Sequence, residues 1–118
     1  MNERDETHLL NMKDSLEVLI GLVDGYDFHQ FLSDERTKLA VSMSLIKIGE
    51  SVKSISQDLK QTYPDVQWIS ISNLRNIAAH NYEGLRMERV WEITTEDAPQ
   101  LLQQIKRILH AEETEVEK

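Results

Sequence analysis

The stretch NLRNIAAHNYEGL, Asn73 to Leu85, gathers one arginine, one histidine, one tyrosine and three asparagines among small and apolar residues. A guanidinium fixes anions, an imidazole moves protons near neutral pH, and amides can orient either of them. On a helix, at about 100° per residue, Asn73, Asn76 and His80 form a single polar strip. Arg75 lies on its flank, about 140° from His80 on the same wheel, with a side chain long enough to swing toward either neighbour. Taken singly, each is an ordinary surface residue. Together they suit phosphodiester cleavage in RNA, because an RNA strand carries its own nucleophile, the 2′-hydroxyl. The protein then needs only a group that takes or gives a proton and a cation that holds the phosphate as charge builds.

Other chemistries have less to work with. The histidines, His8, His29, His80 and His110, are far apart and show no zinc spacing, so no metal ligands and no cofactor are expected. There is no glycine-rich phosphate loop and no Gly-x-Ser-x-Gly elbow. The absence of cysteine excludes disulfide frameworks, thiol nucleophiles and iron–sulfur clusters from this chain. Thirteen Lys and Arg against 21 Asp and Glu leave a net charge of −8, so any polyanion has to meet a local patch and DNA binding by this chain alone is not expected. No run approaches the length of a signal peptide core or a membrane span, which predicts a cytoplasmic chain with no membrane partner.

The elements that must position the strip read as helices. At 118 residues the chain is sized for one domain, residues 1–118, with an acidic tail from about 111 expected to fray. Two prolines, four glycines and no alternating β-branched runs predict an all-α, up-and-down bundle of four to five helices. The first helix should run from about Arg4 to Asp24, on Leu9, Met12, Leu16, Leu19, Ile20 and Val23, with Gly25 as its stop. The connector YDFHQFLSD carries two aromatics to plug the bundle and ends on Ser33 or Asp34 as an N-cap.

A long second helix is expected from about Glu35 to Tyr63, stopped by Pro64. Val41, Leu45, Ile48, Val52, Ile55 and Leu59 form its inward stripe, and Leu39, Met43, Ile46 and Glu50 a second one. A helix apolar on two sides in a short chain suggests a homodimer, with Glu50 at or near the interface as an accessory group. A third helix should start between Val66 and Ile69 and carry Ile71, Leu74, Ile77 and Ala78 inward. After the break at NYEG, Thr95 is the expected N-cap of the last helix, with Pro99 tolerated early or kinking a longer helix.

The segment LRNIAAHNYEG resembles the Arg-x4-His-x-Tyr motif of HepT-like proteins of the HEPN superfamily, with Arg75, His80 and Tyr82 in place and polar Asn76 after the arginine. The segment IGES, Ile48 to Ser51, is similar to that family's Ile-Gly-Glu segment, and VQWISISNLRN and VWEI sit where the family has tryptophans flanking the motif. The resemblance covers the chain from the second helix to the last, and departs from many members in having Asn73 where they have glycine.

This resemblance implies an all-α homodimer in which two such motifs meet in a cleft that acts as a metal-independent endoribonuclease. It implies a toxin with catalytic Arg75 and His80 and with Asn76 orienting the substrate or His80; at Asn73, where the chain departs from the family, the side chain is expected to narrow the cleft or to position substrate through an added RNA contact. It further implies an antitoxin partner, a minimal nucleotidyltransferase that silences the toxin by AMPylation of Tyr82. Placing a bulky anionic nucleotide two residues from His80 would block or repel the phosphate there. The alternative is a non-catalytic helical module that binds a nucleotide or the nucleotidyltransferase.

Overall fold

The computed structural model describes the backbone of residues 1–80 and 87–116 and the side chains of residues 1–79 and 87–113. The described residues are all-α. Glu3–Leu22 forms α1, Phe28–Ser33 α2, Glu35–Lys53 α3 and Gln57–Thr62 α4. Trp68–Ser72 forms α5, Leu74–His80 α6 and Met87–Glu92 α7, and a π-helical turn at Ile93–Asp97 leads into α8, Ala98–Val116.

The first helix forms where its apolar spacing places it, with Leu9, Met12, Leu16 and Leu19 almost fully buried. It packs most extensively on α3, whose inward stripe Val41, Leu45, Ile48 and Val52 is also buried. Asn2 caps α1 by accepting from the Asp5 amide at 2.7 Å, and Gly25, at φ +80°, makes the turn that follows, a conformation glycine adopts without strain. The connector YDFHQFLSD is itself largely helical, forming α2. Its Phe31 is fully buried and stacks on Trp91 with ring centroids 5.2 Å apart, and Phe28 meets the same indole at 6.1 Å.

Asp34 is the N-cap of α3. Its carboxylate accepts from the Tyr26 hydroxyl at 2.6 Å, the Thr37 hydroxyl at 2.7 Å and the Thr37 amide at 3.1 Å. The Tyr26 bond first, then those from Thr37, hold its pKa down at about 2. A carboxyl depressed in the fold stabilises it above its unfolded pKa, and that contribution fades as pH falls from about 4 toward about 2.

Two expectations need correction. The helix predicted over 35–63 is broken at Ser54 to Ser56, giving α3 and α4. Ser56 is held by buried Asp5, whose carboxylate accepts from the Ser56 amide at 2.9 Å and its hydroxyl at 2.6 Å. The same hydroxyl caps α4 by accepting from the Leu59 amide. Serine competes with a continuing helix in this way, while Ile55 and Leu59 still reach the core because the break preserves their side.

Thr95 is not an N-cap. It lies inside the π-helical turn, its hydroxyl donating to the Trp91 carbonyl at 2.8 Å. Pro99 has no amide hydrogen to give the carbonyl four residues back, and the widened turn immediately before it lets a nearly continuous helix accept that defect. The acidic end is helical as far as Val116, and Glu112 is buried and accepts from the Tyr63 hydroxyl at 3.1 Å. No described helix is long and apolar enough to cross a membrane.

Candidate functional site

The polar strip stands on α5 and α6, which are nearly one helix. Asn73 separates them in a right-handed helical conformation, φ −74° and ψ −12°, and the Ile77 amide still donates to the Asn73 carbonyl at 3.0 Å. Because φ is negative, asparagine is accommodated there without strain. Ile71, Leu74 and Ala78 are buried and Ile77 is half-buried, which turns Asn73 and Asn76 outward, both exposed. His80 is the last residue of α6; its side chain lies outside the described residues, as does all of Tyr82.

α6 packs chiefly on α3, and the contact is set by one glycine. A Cβ on Gly49 would lie 2.9 Å from the Arg75 Cβ, 2.9 Å from the Arg75 amide nitrogen and 3.2 Å from the Ser72 carbonyl oxygen. Only a residue without a side chain permits this approach. Glycine inside a helix costs about 0.5–1 kcal/mol relative to alanine, so the position serves the packing of the two helices rather than the helix itself.

The close approach brings Glu50 against Arg75. The guanidinium Nε lies 2.6 Å from Glu50 Oε1 in an ion pair, and its Nη1 donates to Asn76 Oδ1 at 3.3 Å. Both partners stay accessible, with 40% of the Arg75 side chain and 51% of the Glu50 side chain exposed. Thus three of the sequence-identified residues, Glu50, Arg75 and Asn76, form one connected group on the surface. Among the described residues, the Asn73 side chain has no hydrogen-bond partner.

The spacing pattern placed Glu50 beside an apolar stripe but did not pair it with Arg75. The signal that would have done so is Gly49, a glycine between two inward positions of a helix, which marks a close crossing.

Beside Glu50 runs a groove of about 500 Å³ between α1 and α3, with Asn11, Asp14 and Val18 on one wall and Ile46, Lys47 and Glu50 on the other. The outer stripe of α3 continues this surface, and Leu39 and Met43 are 55% and 57% exposed. A separate hollow of about 290 Å³ lies between α5–α6 and α8, walled by Leu74, Ile77, Ile93 and Leu101. Neither Arg75 nor Glu50 lines it, so it is not part of the polar group. Among the described residues, no cluster of three or more His, Asp or Glu is placed to hold a metal ion.

Arg75 stands five residues before His80, about 1.4 turns along α6 and about 140° around it, and its accessible guanidinium can hold a phosphate. Comparison with known proteins gives the chain a family. Residues 12–108 match the model of the family described as "Ribonuclease HepT-like". A Methanocaldococcus jannaschii protein provisionally named as an RNase is 36% identical over 101 residues, covering 86% of this chain and 80% of the relative. One from Caldanaerobacter subterraneus subsp. tengcongensis, likewise provisionally named as an RNase, is 31% identical over 89% of this chain and 94% of its own length. "Probable ribonuclease HepT" of Thermococcus cleftensis is 29% identical over 86% of this chain and 92% of its own length. No solved structure matches the chain. The match over most of the chain, with the helical bundle and its polar group, places the protein in the ribonuclease HepT-like family.

Proposed function

We propose that this protein is the toxin of a toxin–antitoxin pair, a metal-independent endoribonuclease acting as a homodimer in the cytoplasm. The observation that carries the reading is the Arg75 guanidinium, accessible on α6 and in contact with Glu50 and Asn76, on the same helix as His80. Arg75 holds the scissile phosphate. His80 takes the proton from the 2′-hydroxyl or gives one to the departing 5′-oxygen. The 2′-oxygen bonds to phosphorus as the bond to the 5′-oxygen breaks, leaving a 2′,3′-cyclic phosphate and a 5′-hydroxyl. Asn76 and Asn73 contact the substrate strand.

The exposed Leu39 and Met43 lie on the flank of α3 that also carries Glu50, which supports a second copy covering that flank and bringing two polar strips to one cleft. AMPylation of Tyr82 by a minimal nucleotidyltransferase antitoxin would silence the site by occupying it with an anion. Intact mass with and without co-expression of that enzyme reads this directly: AMP-sized increments mapping to Tyr82 are expected, and an unchanged mass would count against the modification.

The nuclease reading itself is tested by incubating the purified protein, shown to be dimeric by light scattering, with single-stranded RNA in excess EDTA. Cleavage is the expected result; intact RNA, or cutting only when a divalent metal is restored, would overturn it. The net charge of −8 favours a second reading, a non-catalytic nucleotide- or nucleotidyltransferase-binding module. Copurification with a nucleotidyltransferase without cleavage of any RNA would select that one.

A further inference from the structure

We infer that Glu50 is an internal competitor for the anion site: in the free protein its carboxylate occupies the Arg75 edge that an RNA phosphate takes on binding. This rests on the assignment of Arg75 as the phosphate-holding group and adds a determinant of affinity to it.

The geometry supplies the argument. The carboxylate oxygen sits 2.6 Å from Arg75 Nε in an ion pair, so the Nε end of the guanidinium already faces an anionic oxygen as it would face one of a phosphate. Nε and Nη2 form the side-on edge that a phosphate takes bidentately, and Glu50 holds the Nε end of it, while Nη1 donates to Asn76. Both side chains are about half exposed, so the pair is one of the weakly held surface kind, and a phosphate can exchange with the carboxylate at little cost. Gly49 fixes the register of the exchange, since the helix crossing it permits keeps Glu50 within reach of Arg75 whether or not the two are bonded.

Charge points the same way. The chain is acidic overall, and Asp14 is the other carboxylate on the groove that reaches Glu50, against one cation there, Lys47. A groove of that charge gives a polyanion little long-range attraction. Affinity for RNA then depends on the local exchange at Arg75, where Glu50 sets the threshold.

The test is a double-mutant cycle read by the binding of a single-stranded 2′-O-methyl RNA oligonucleotide, which cannot be cleaved through its 2′ position. Binding is measured by fluorescence anisotropy for the full-length wild type, Glu50→Gln, Arg75→Ala and the double variant. Glu50→Gln should bind about 1.5- to 5-fold more tightly than wild type, the range a surface ion pair can withhold. Its salt dependence should steepen by up to about 0.7 in d log K/d log[salt], since binding no longer displaces a carboxylate from the cation.

In the Arg75→Ala background the same substitution should produce a clearly smaller gain, because only the general loss of a negative charge remains. An equal gain in both backgrounds would show that Glu50 acts through overall charge and not through Arg75, and would overturn the inference. No gain, or weaker binding, by Glu50→Gln would overturn it as well. Because the probe is not cleaved, the cycle is independent of catalysis: loss of the nuclease reading with the cycle intact, or the reverse, tells the two claims apart.

Discussion

Alanine at His80 is expected to lower the rate of RNA cleavage by about 10²–10⁴-fold, the range typical for loss of one proton-transferring group. Growth inhibition in cells should fall with it. His80 ends α6, whose buried face is formed by Leu74 and Ala78. Circular dichroism and melting temperature should therefore stay close to wild type while activity is lost. If His80→Ala cleaved RNA at the wild-type rate, the imidazole would have no part in the chemistry and the proton would have to travel by another group.

The second large effect should come from a residue that touches no substrate. Gly49→Ala places a methyl group 2.9 Å from both the Arg75 Cβ and its backbone nitrogen, and 3.2 Å from the Ser72 carbonyl. The backbone contacts cannot rotate away, so α6 has to shift. Overpacking of this kind costs about 1–3 kcal/mol, set against a gain of about 0.5–1 kcal/mol from the better helix former. The shift moves Arg75 from the place in which it meets the phosphate, and a misplacement of about 1 Å can cost about 10²-fold in rate. Gly49→Ala should thus lose about 10²-fold in rate beside a net destabilisation of about 0–2.5 kcal/mol. Thermal melting together with cleavage assays separates the two, and a variant with lowered Tm but full activity would contradict the idea that this crossing positions the arginine.

Much of this arrangement was legible in the chain before any coordinates. The inward stripe of α3 and the buried side of α5–α6 follow from spacing alone, because periodicity reports burial directly. What spacing could not supply was pairing. Glu50 falls in line with Leu39, Met43 and Ile46, and nothing local says that its partner lies 25 positions later on a helix that crosses at Gly49.

The break at Ser54 to Ser56 escaped for a related reason: the apolar stripe runs through it without losing phase, and the interaction that stabilises it, Asp5 to Ser56, joins residues 51 positions apart. Thr95 was misread because threonine followed by two acids is a good start for a helix. The helix had in fact begun earlier, and the π-helical turn before Pro99 is a solution that capping rules do not anticipate. Tyr82 and the imidazole of His80 lie outside the described residues, and the sequence motif is what assigns them to the site.

The central claim is that RNA is cut by its own 2′-hydroxyl at a site built from Arg75 and His80, and the ends of the products read it most directly. A defined oligoribonucleotide cleaved in excess EDTA should yield 2′,3′-cyclic phosphate and 5′-hydroxyl ends, and a single 2′-deoxy substitution at the cut position should stop the reaction. Products bearing 3′-hydroxyl and 5′-phosphate ends, or undiminished cleavage at the 2′-deoxy position, would contradict the account.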